Sequence, residues 1–228
     1  MIATRTLINQ AGGDPTFANV SLLLHMDGIN GSTTFTDNGP NALTVTPSGN
    51  AQISTAQSKY GGASAYFDGN GDYLTCSHAT LFDFSGDFTI EGWFNFTTTN
   101  QYQGYSILFC GIELNQIQLA TVSGAIELFL GGSSLFSYSI ASSSFVNTWT
   151  HVAVTRSGST VKLWLNGVSV ASGTRSTAID LSGISIGSQR NNGSYFGYLN
   201  AYVDEFRIKK GEAVYTTTFT PTGPFPNS

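Results

Sequence analysis

The sequence has little charge, and positive charge is the scarcer kind. Nine Lys and Arg stand against fourteen Asp and Glu, charged residues make up 10 % of the 228 residues, and the formal net charge is -5. Nucleic-acid binding is not expected, because it depends on clustered Lys and Arg contacts to phosphates. No apolar run approaches the ~20 residues of a transmembrane helix. A hydrophobic content of 40 % still provides for a sizeable core.

Cysteine and histidine are also scarce. Two cysteines and three histidines, none of them paired at short spacing, do not make a zinc site. Cys76 and Cys110 are predicted to be reduced and partly buried, and a disulfide between them is the alternative.

The first 19 residues differ from the rest of the chain. They have no charged segment followed by an apolar one and a cleavage site, so we expect release without signal-peptide export. The run AGGDP at 11–15 interrupts both helix and strand. Residues 1–19 are therefore predicted to form an arm and linker, in which Ile2, Leu7 and Ile8 contact a partner.

Short strand patterns fill the remainder. The segment FTIEGWFNF at 88–96 begins by alternating large apolar residues with polar ones, which is typical of a strand with one face in a core. Asn166-Gly167 suits the two positive φ angles of a type I′ hairpin turn. About a dozen such strands without a convincing amphipathic helix predict an all-β, two-sheet antiparallel sandwich.

Six segments carry a family resemblance. They are LLLHMD at 22–27, YFDGNGDY at 66–73, FTIEGW at 88–93, WTHVAV at 149–154, LNGV at 165–168 and VDEFRI at 203–208. In this order they resemble the laminin-G-like, concanavalin A-like lectin/glucanase jelly roll, over residues 20–228. The segments SKYGGAS at 58–64 and YTTTFTP at 215–221 are most similar to copies in virion proteins of tailed bacteriophages.

The resemblance implies a structural calcium ion at an aspartate of the last strand, here Asp204. Side chains two residues apart on a strand share one face, so Asp204 is predicted to lie on the same face as Tyr202, Phe206 and Ile208. An unpaired charge on this apolar face is costly. The expected companions, which would supply carboxylate or carbonyl oxygens, are Asp27, Gly28, Asp68 and Gly69. Alternatively Asp204 caps a turn or meets an arginine. The turn at 68–72 lacks the later glutamate of an EF-hand and is predicted to bond its own backbone.

Glycan binding requires aromatic faces and planar polar groups, and two predicted loops contain both. Their candidate residues are Tyr102, Tyr105, Arg190, Asn191, Asn192, Tyr195 and Tyr198. The alternative is that these aromatics pack beneath the loops or against another subunit.

No catalytic residues are predicted. Glycosidases of this fold class need closely spaced carboxylates on one strand, whereas Glu91, Glu113 and Glu127 are isolated in sequence. We therefore expect a non-enzymatic virion surface protein, either capsid decoration or tail-associated adhesin, made in the host cytoplasm. Its expected partners are capsid or tail proteins, host-surface glycans and further copies of itself. The alternative is a free calcium-dependent lectin.

Overall fold

Two large antiparallel sheets make up the structure, a computed structural model that describes residues 13–99, 104–112, 117–191 and 194–228. Single 3-10 turns occur at Phe17–Asn19 and Ser142–Ser144. The predicted all-β jelly-roll sandwich is confirmed. Within the described ranges, no helix has the length and hydrophobicity of a transmembrane span.

The strands of the described residues follow in chain order. They are β1 Val20–Leu24, β2 Val45–Ser48, β3 Gln52–Ser54, β4 Ser64–Asp68, β5 Tyr73–Ser77, β6 Asp83–Phe84, β7 Phe88–Phe96, β8 Tyr105–Gly111, β9 Ile117–Val122, β10 Ala125–Leu130, β11 Ser133–Ser139, β12 Thr150–Ser157, β13 Thr160–Leu165, β14 Val168–Thr174, β15 Ile179–Asp180, β16 Gly183–Ile186, β17 Gln189–Asn191, β18 Ser194–Phe196 and β19 Asn200–Lys210.

The first sheet has the order β14-β13-β12-β7-β19-β4-β3, and β1 pairs with the second half of β19. The second sheet has the order β11-β10-β9-β8-β16-β5-β2. Between them lies one continuous apolar core, in which Phe67, Phe94, Phe109 and Phe206 are fully buried. Cys76 and Cys110 are free and buried, and burial raises the pKa of each thiol to about 12.

Asn166 and Gly167 have φ of 48° and 81°, as the predicted hairpin turn between β13 and β14 requires.

Strand β19 contains a bulge that corrects the predicted parity. Its pairing with β7 shifts between Asp204 and Arg207, and Glu205 adopts a φ of 49°. Because the bulge inserts an extra residue, both Val203 and Phe206 reach the core. Asp204 shares the outer face with Tyr202 instead of the core face with Phe206 and Ile208. The prediction that its carboxylate lies on the apolar side is wrong for this reason.

A buried polar network covers the outer face of the first sheet. Glu91 accepts hydrogen bonds from Arg207 Nη2 at 2.6 Å, His151 Nε2 at 3.0 Å and Tyr215 Oη at 2.8 Å. Burial alone would raise the pKa of Glu91, but the charge of Arg207 and the bond from His151 lower it to about 2. Both oxygens of the Glu91 carboxylate therefore accept hydrogen bonds within the protein.

Both ends of the described chain lie on this outer face. Lys209 Nζ donates to Asp14 Oδ2 at 2.9 Å, Arg207 contacts the same oxygen at 3.3 Å, and Asp14 N donates to Ser228 O at 2.5 Å. The boundary predicted at residue 19 stays a prediction. The expected partner contacts Ile2, Leu7 and Ile8 lie outside the described residues.

Candidate functional site

Only one of the two carboxylate oxygens of Asp204 has hydrogen-bond partners. Its Oδ2 accepts the backbone N–H groups of Lys59 at 2.6 Å and Tyr60 at 3.0 Å. Its Oδ1 is buried and has no hydrogen-bond partner. Burial, outweighing these two bonds, raises the pKa of Asp204 to about 7, and the charges of Glu205 and Asp27 add to the effect.

Asp27 is the second acidic group of this region. It follows β1, and a Cβ on Gly61 would overlap its carboxylate, so the glycine, at φ +62°, allows the close approach. The amide of Ala63 donates to Asp27. Burial and the charge of Glu205 raise the pKa of Asp27. The loop at 59–63 thus lies between Asp27 and Asp204 and donates backbone amides to both.

Glu205, unlike Asp204, has partners for both oxygens. Oε1 lies 2.8 Å from His25 Nδ1, and Oε2 accepts the amide of Phe225 at 2.9 Å. Burial opposes the charged imidazole, but the hydrogen bonds of His25 to Glu205 and Asn227 outweigh it and raise the pKa of His25. The charges of Glu205 and Asp27 both act on His25 and on Asp204, so acidic groups outnumber the single histidine among these residues.

A hard cation fits the unpartnered Asp204 Oδ1 in charge and ligand type. Calcium takes six to eight oxygens. Across the described ranges, no cluster of three or more His, Cys, Asp or Glu side chains has metal-binding geometry. An ion here would therefore be held by Asp204 and Asp27 together with backbone carbonyls and solvent.

The structure does not bring all predicted companions to Asp204. Asp68 pairs with Asn200 at the start of β19, four residues and thus about 13 Å from Asp204 along the strand. Asp68 Oδ1 accepts the amide of Asn70 at 2.7 Å, which confirms the predicted self-bonded turn. Gly69 lies in this turn, and the Cα of Gly28 faces Ile53.

A second feature lies on the outer face of the second sheet. There the β17–β18 hairpin packs beside β8, and Tyr105 Oη donates to Gln189 Oε1 at 2.7 Å while accepting Gln118 Nε2 at 2.5 Å. The ring of Tyr105 stacks on Phe196 with centroids 6.3 Å apart. Gly197, at φ +68°, passes so close that an added Cβ would lie 3.0 Å from Tyr105.

These contacts form one wall of an open groove of about 250 Å³. Its lining residues are Tyr105, Ile117, Gln118, Phe129 and Gly132. The ring of Tyr105 is 40 % exposed, and Phe129 stands opposite Gln118 in the β9–β10 ladder. We call these five residues the sheet groove. It combines two aromatic faces with an amide whose orientation is fixed.

The hairpin divides the residues predicted to bind glycans. Arg190 and Tyr195 form a cross-strand pair on the face opposite Gln189 and Phe196. Tyr195 stacks on Tyr73 with centroids 4.0 Å apart, and Tyr198 Oη donates to Tyr195 O at 2.8 Å. These aromatics thus pack largely on one another.

Of the remaining predicted residues, Asn191 ends β17, and Tyr102 and Asn192 lie outside the described residues. Sequence reasoning missed Gln118 and Phe129. Alternation along β9 and β10 is a local signal for their outer face, but nothing local indicates that Tyr105 of β8 completes the groove.

A jelly roll with an unpartnered acidic group and an aromatic groove defines a lectin-like domain. A family model described as Laminin G 3, concanavalin A-like lectin/glucanases superfamily, matches residues 68–213. The chain belongs to this superfamily. A comparison with curated proteins found no significant match.

Solved structures share the fold. The binding domain of paraclostridial mosquitocidal protein 1 is 18 % identical with a TM-score of 0.69, over 87 % of this chain and 50 % of that one. The botulinum neurotoxin serotype C1 binding domain is 15 % identical with a TM-score of 0.66, over 85 % and 49 %. A botulinum neurotoxin DC binding domain, solved with rat synaptotagmin II, is 12 % identical with a TM-score of 0.65, over 85 % and 48 %. The chain spans about half of each.

Replacing Asp204 tests the electrostatic account. Because its pKa in the fold, about 7, exceeds the value of 3.8 expected when unfolded, stability is lost as pH rises from about 4 to about 7. In chelator at pH 8 we expect Asp204→Asn to raise the free energy of unfolding by on the order of 2 kcal/mol. The gain should shrink towards pH 4.

Urea unfolding at pH 8, 6 and 4 measures this difference. Asp180→Asn, at an exposed carboxylate of β15, is the matched control and should change little. A loss of stability in Asp204→Asn at pH 8 in chelator would contradict the account.

Proposed function

We propose that this chain is a non-enzymatic, glycan-binding surface domain of a tailed-phage virion, acting as capsid decoration or tail-associated adhesin. The observation that carries the glycan-binding part is the sheet groove. The proposed ligands are host-surface glycans.

The chemistry of the sheet groove suits a sugar ring. Tyr105 and Phe129 offer faces for the apolar side of a pyranose, and Gln118, which is 8 % exposed, contributes a planar amide whose Nε2 donates to Tyr105 Oη. A volume of about 250 Å³ is below the roughly 300–1,000 Å³ of sites for drug-sized ligands, so it suits one ring of a longer chain. The lining is uncharged, which favours a neutral glycan over an acidic one.

Carboxylate placement supports binding without hydrolysis. Glycosidases place two carboxyl groups on either side of the scissile bond, about 5–9.5 Å apart. Glu91 is buried in an ion pair, and both oxygens of Glu205 have partners. In the part of the chain that the structure describes, none of the groove-lining residues is acidic.

Calcium enters the proposal as a structural ion at Asp204 and Asp27. The unpartnered Oδ1 of Asp204 supports it, as does the excess negative charge beside it. The alternative function, a free calcium-dependent lectin, rests on the same observation. The two differ in that the sheet groove lies on the opposite sheet, so a structural ion would not contact the glycan.

The virion setting rests on the resemblance of residues 58–64 and 215–221 to phage copies of the domain. The fold relatives include binding domains, one of them solved in complex with synaptotagmin. In this proposal an N-terminal arm with Ile2, Leu7 and Ile8 attaches the domain to capsid or tail proteins, and further copies assemble beside it.

Glycan binding is tested by an array of neutral and acidic polysaccharides. We expect Gln118→Ala and Phe129→Ala each to weaken binding of a neutral glycan about tenfold or more, since each removes a contact worth on the order of 1–2 kcal/mol. Tyr202→Ala, on the other sheet, is the matched control. Chelator should leave binding intact while the domain stays folded.

Binding that survives both groove variants would refute the sheet groove as the site. Binding lost in chelator by a folded protein would favour the free calcium-dependent lectin. Turnover of any glycan in the panel would overturn the non-enzymatic assignment.

The virion setting has its own test, which is immunogold labelling of intact source particles. We expect label at the capsid or tail surface. Label confined to the lysate, with unlabelled particles, would contradict the virion role and leave the glycan-binding proposal standing.

A further inference from the structure

Trp93, like Asp204, has a buried polar atom without a hydrogen-bond partner. Its side chain is 5 % exposed, and its indole Nε1 has no hydrogen-bond partner. Trp93 on β7 is the direct cross-strand partner of Asp204 on β19. Facing residues of an antiparallel pair have Cβ atoms about 4.5–5.5 Å apart on one face of the sheet. A lone acceptor and a lone donor therefore lie side by side.

One loop covers both residues. Lys59 and Tyr60 give their amides to Asp204 Oδ2, and the Lys59 Nζ lies 4.1 Å from the centre of the Trp93 ring. Tyr60 packs edge-on against the same ring at 5.9 Å, and His151 does so at 5.2 Å. These contacts hold the indole in place, and the Nδ1 of His151 is likewise buried without a hydrogen-bond partner.

We infer that Trp93 is a positioning residue of the cation site, whose indole N–H donates to an oxygen that coordinates a calcium-class ion bound at Asp204 Oδ1. The inference rests on the proposed calcium ion. An indole N–H has no lone pair and cannot ligate a metal, but it can hold an oxygen ligand in place. One such oxygen satisfies the donor of Trp93, while the ion satisfies the acceptor of Asp204.

The chain supplies a matched control in Trp164. Its ring is 1 % exposed on the outer face of the same sheet, but its Nε1 donates to Thr155 Oγ1 at 2.8 Å. Replacing Trp164 with Phe also removes a buried indole and its hydrogen bond. A general effect of losing an indole would therefore appear in both variants, whereas an effect on the ion should appear only in Trp93→Phe.

The experiment uses the full chain, titrated with calcium after treatment with chelator and observed through its indole ¹H–¹⁵N resonances. The three tryptophans give three signals. We expect calcium to move the Trp93 signal downfield with saturation, and to move those of Trp149 and Trp164 much less. This measurement needs no substitution, so it does not depend on a variant that folds.

Calorimetric titration of variants completes the test. We expect Trp93→Phe to weaken calcium binding about 10–100-fold, as loss of an outer-shell partner does. Trp164→Phe should bind calcium as the wild type does, and Asp204→Asn should not bind. Terbium luminescence excited through indole should persist in Trp164→Phe and be lost in Asp204→Asn.

The outcomes distinguish the role of Trp93 from the proposed calcium ion at Asp204. Wild-type affinity in Trp93→Phe, a still Trp93 signal, or equal losses in Trp93→Phe and Trp164→Phe would each overturn the role of Trp93 and leave the ion in place. If the wild type binds neither calcium nor terbium, the ion itself is refuted together with this inference. In that case the sheet groove is unaffected.

Discussion

The bulge in β19 is the constraint on which the rest of the structure depends. This strand pairs with β7 along one side and with β4 and then β1 along the other. The extra residue costs backbone strain, since Glu205 sits at φ 49°, where a non-glycine residue costs on the order of 1–3 kcal/mol. Hydrogen bonds from the Phe225 amide and His25 to Glu205, and from Lys59 and Tyr60 to Asp204, offset that strain. Two consecutive acids are thereby held outside the core while Val203 and Phe206 fill it.

The two outer faces of the sandwich differ in how much of the chain covers them. The face of the first sheet is closed over by chain segments, with Glu91 and Arg207 at its centre and with Phe219 stacked on Tyr215 at 3.5 Å above it. A buried ion pair of this kind is strongly destabilising when only one partner is removed, which ties these segments to the sheet. Among the described residues, the short β17–β18 hairpin packs beside β8 on the face of the second sheet, where the sheet groove also lies. The proposed glycan-binding site, the sheet groove, therefore lies on the less covered face.

Local patterns were enough to predict the architecture, and long-range contacts explain what they missed. Alternation in 88–96 and the Asn166-Gly167 turn are properties of neighbouring residues, and both appear as predicted. The side-chain alternation of β19 could not be predicted locally, because nothing in VDEFRI marks a bulge stabilised by partners 20 to 180 residues away. Asp68 does not lie beside Asp204 because the register of β4 against β19 pairs Asp68 with Asn200. Gln118 was overlooked because its partner Tyr105 comes from a neighbouring strand, and because the groove is lined by residues of three strands and a turn.

We propose that Asp204, which the bulge turns outward, holds a cation with Asp27. Anomalous diffraction from crystals of the full chain grown with a lanthanide or calcium tests it most directly. The account predicts one strong peak beside Asp204 Oδ1, on the outer face of the first sheet, within reach of the Asp27 carboxylate and flanked by Trp93. A map without a peak there, in which Asp204 Oδ1 accepts the Trp93 N–H directly, would contradict it.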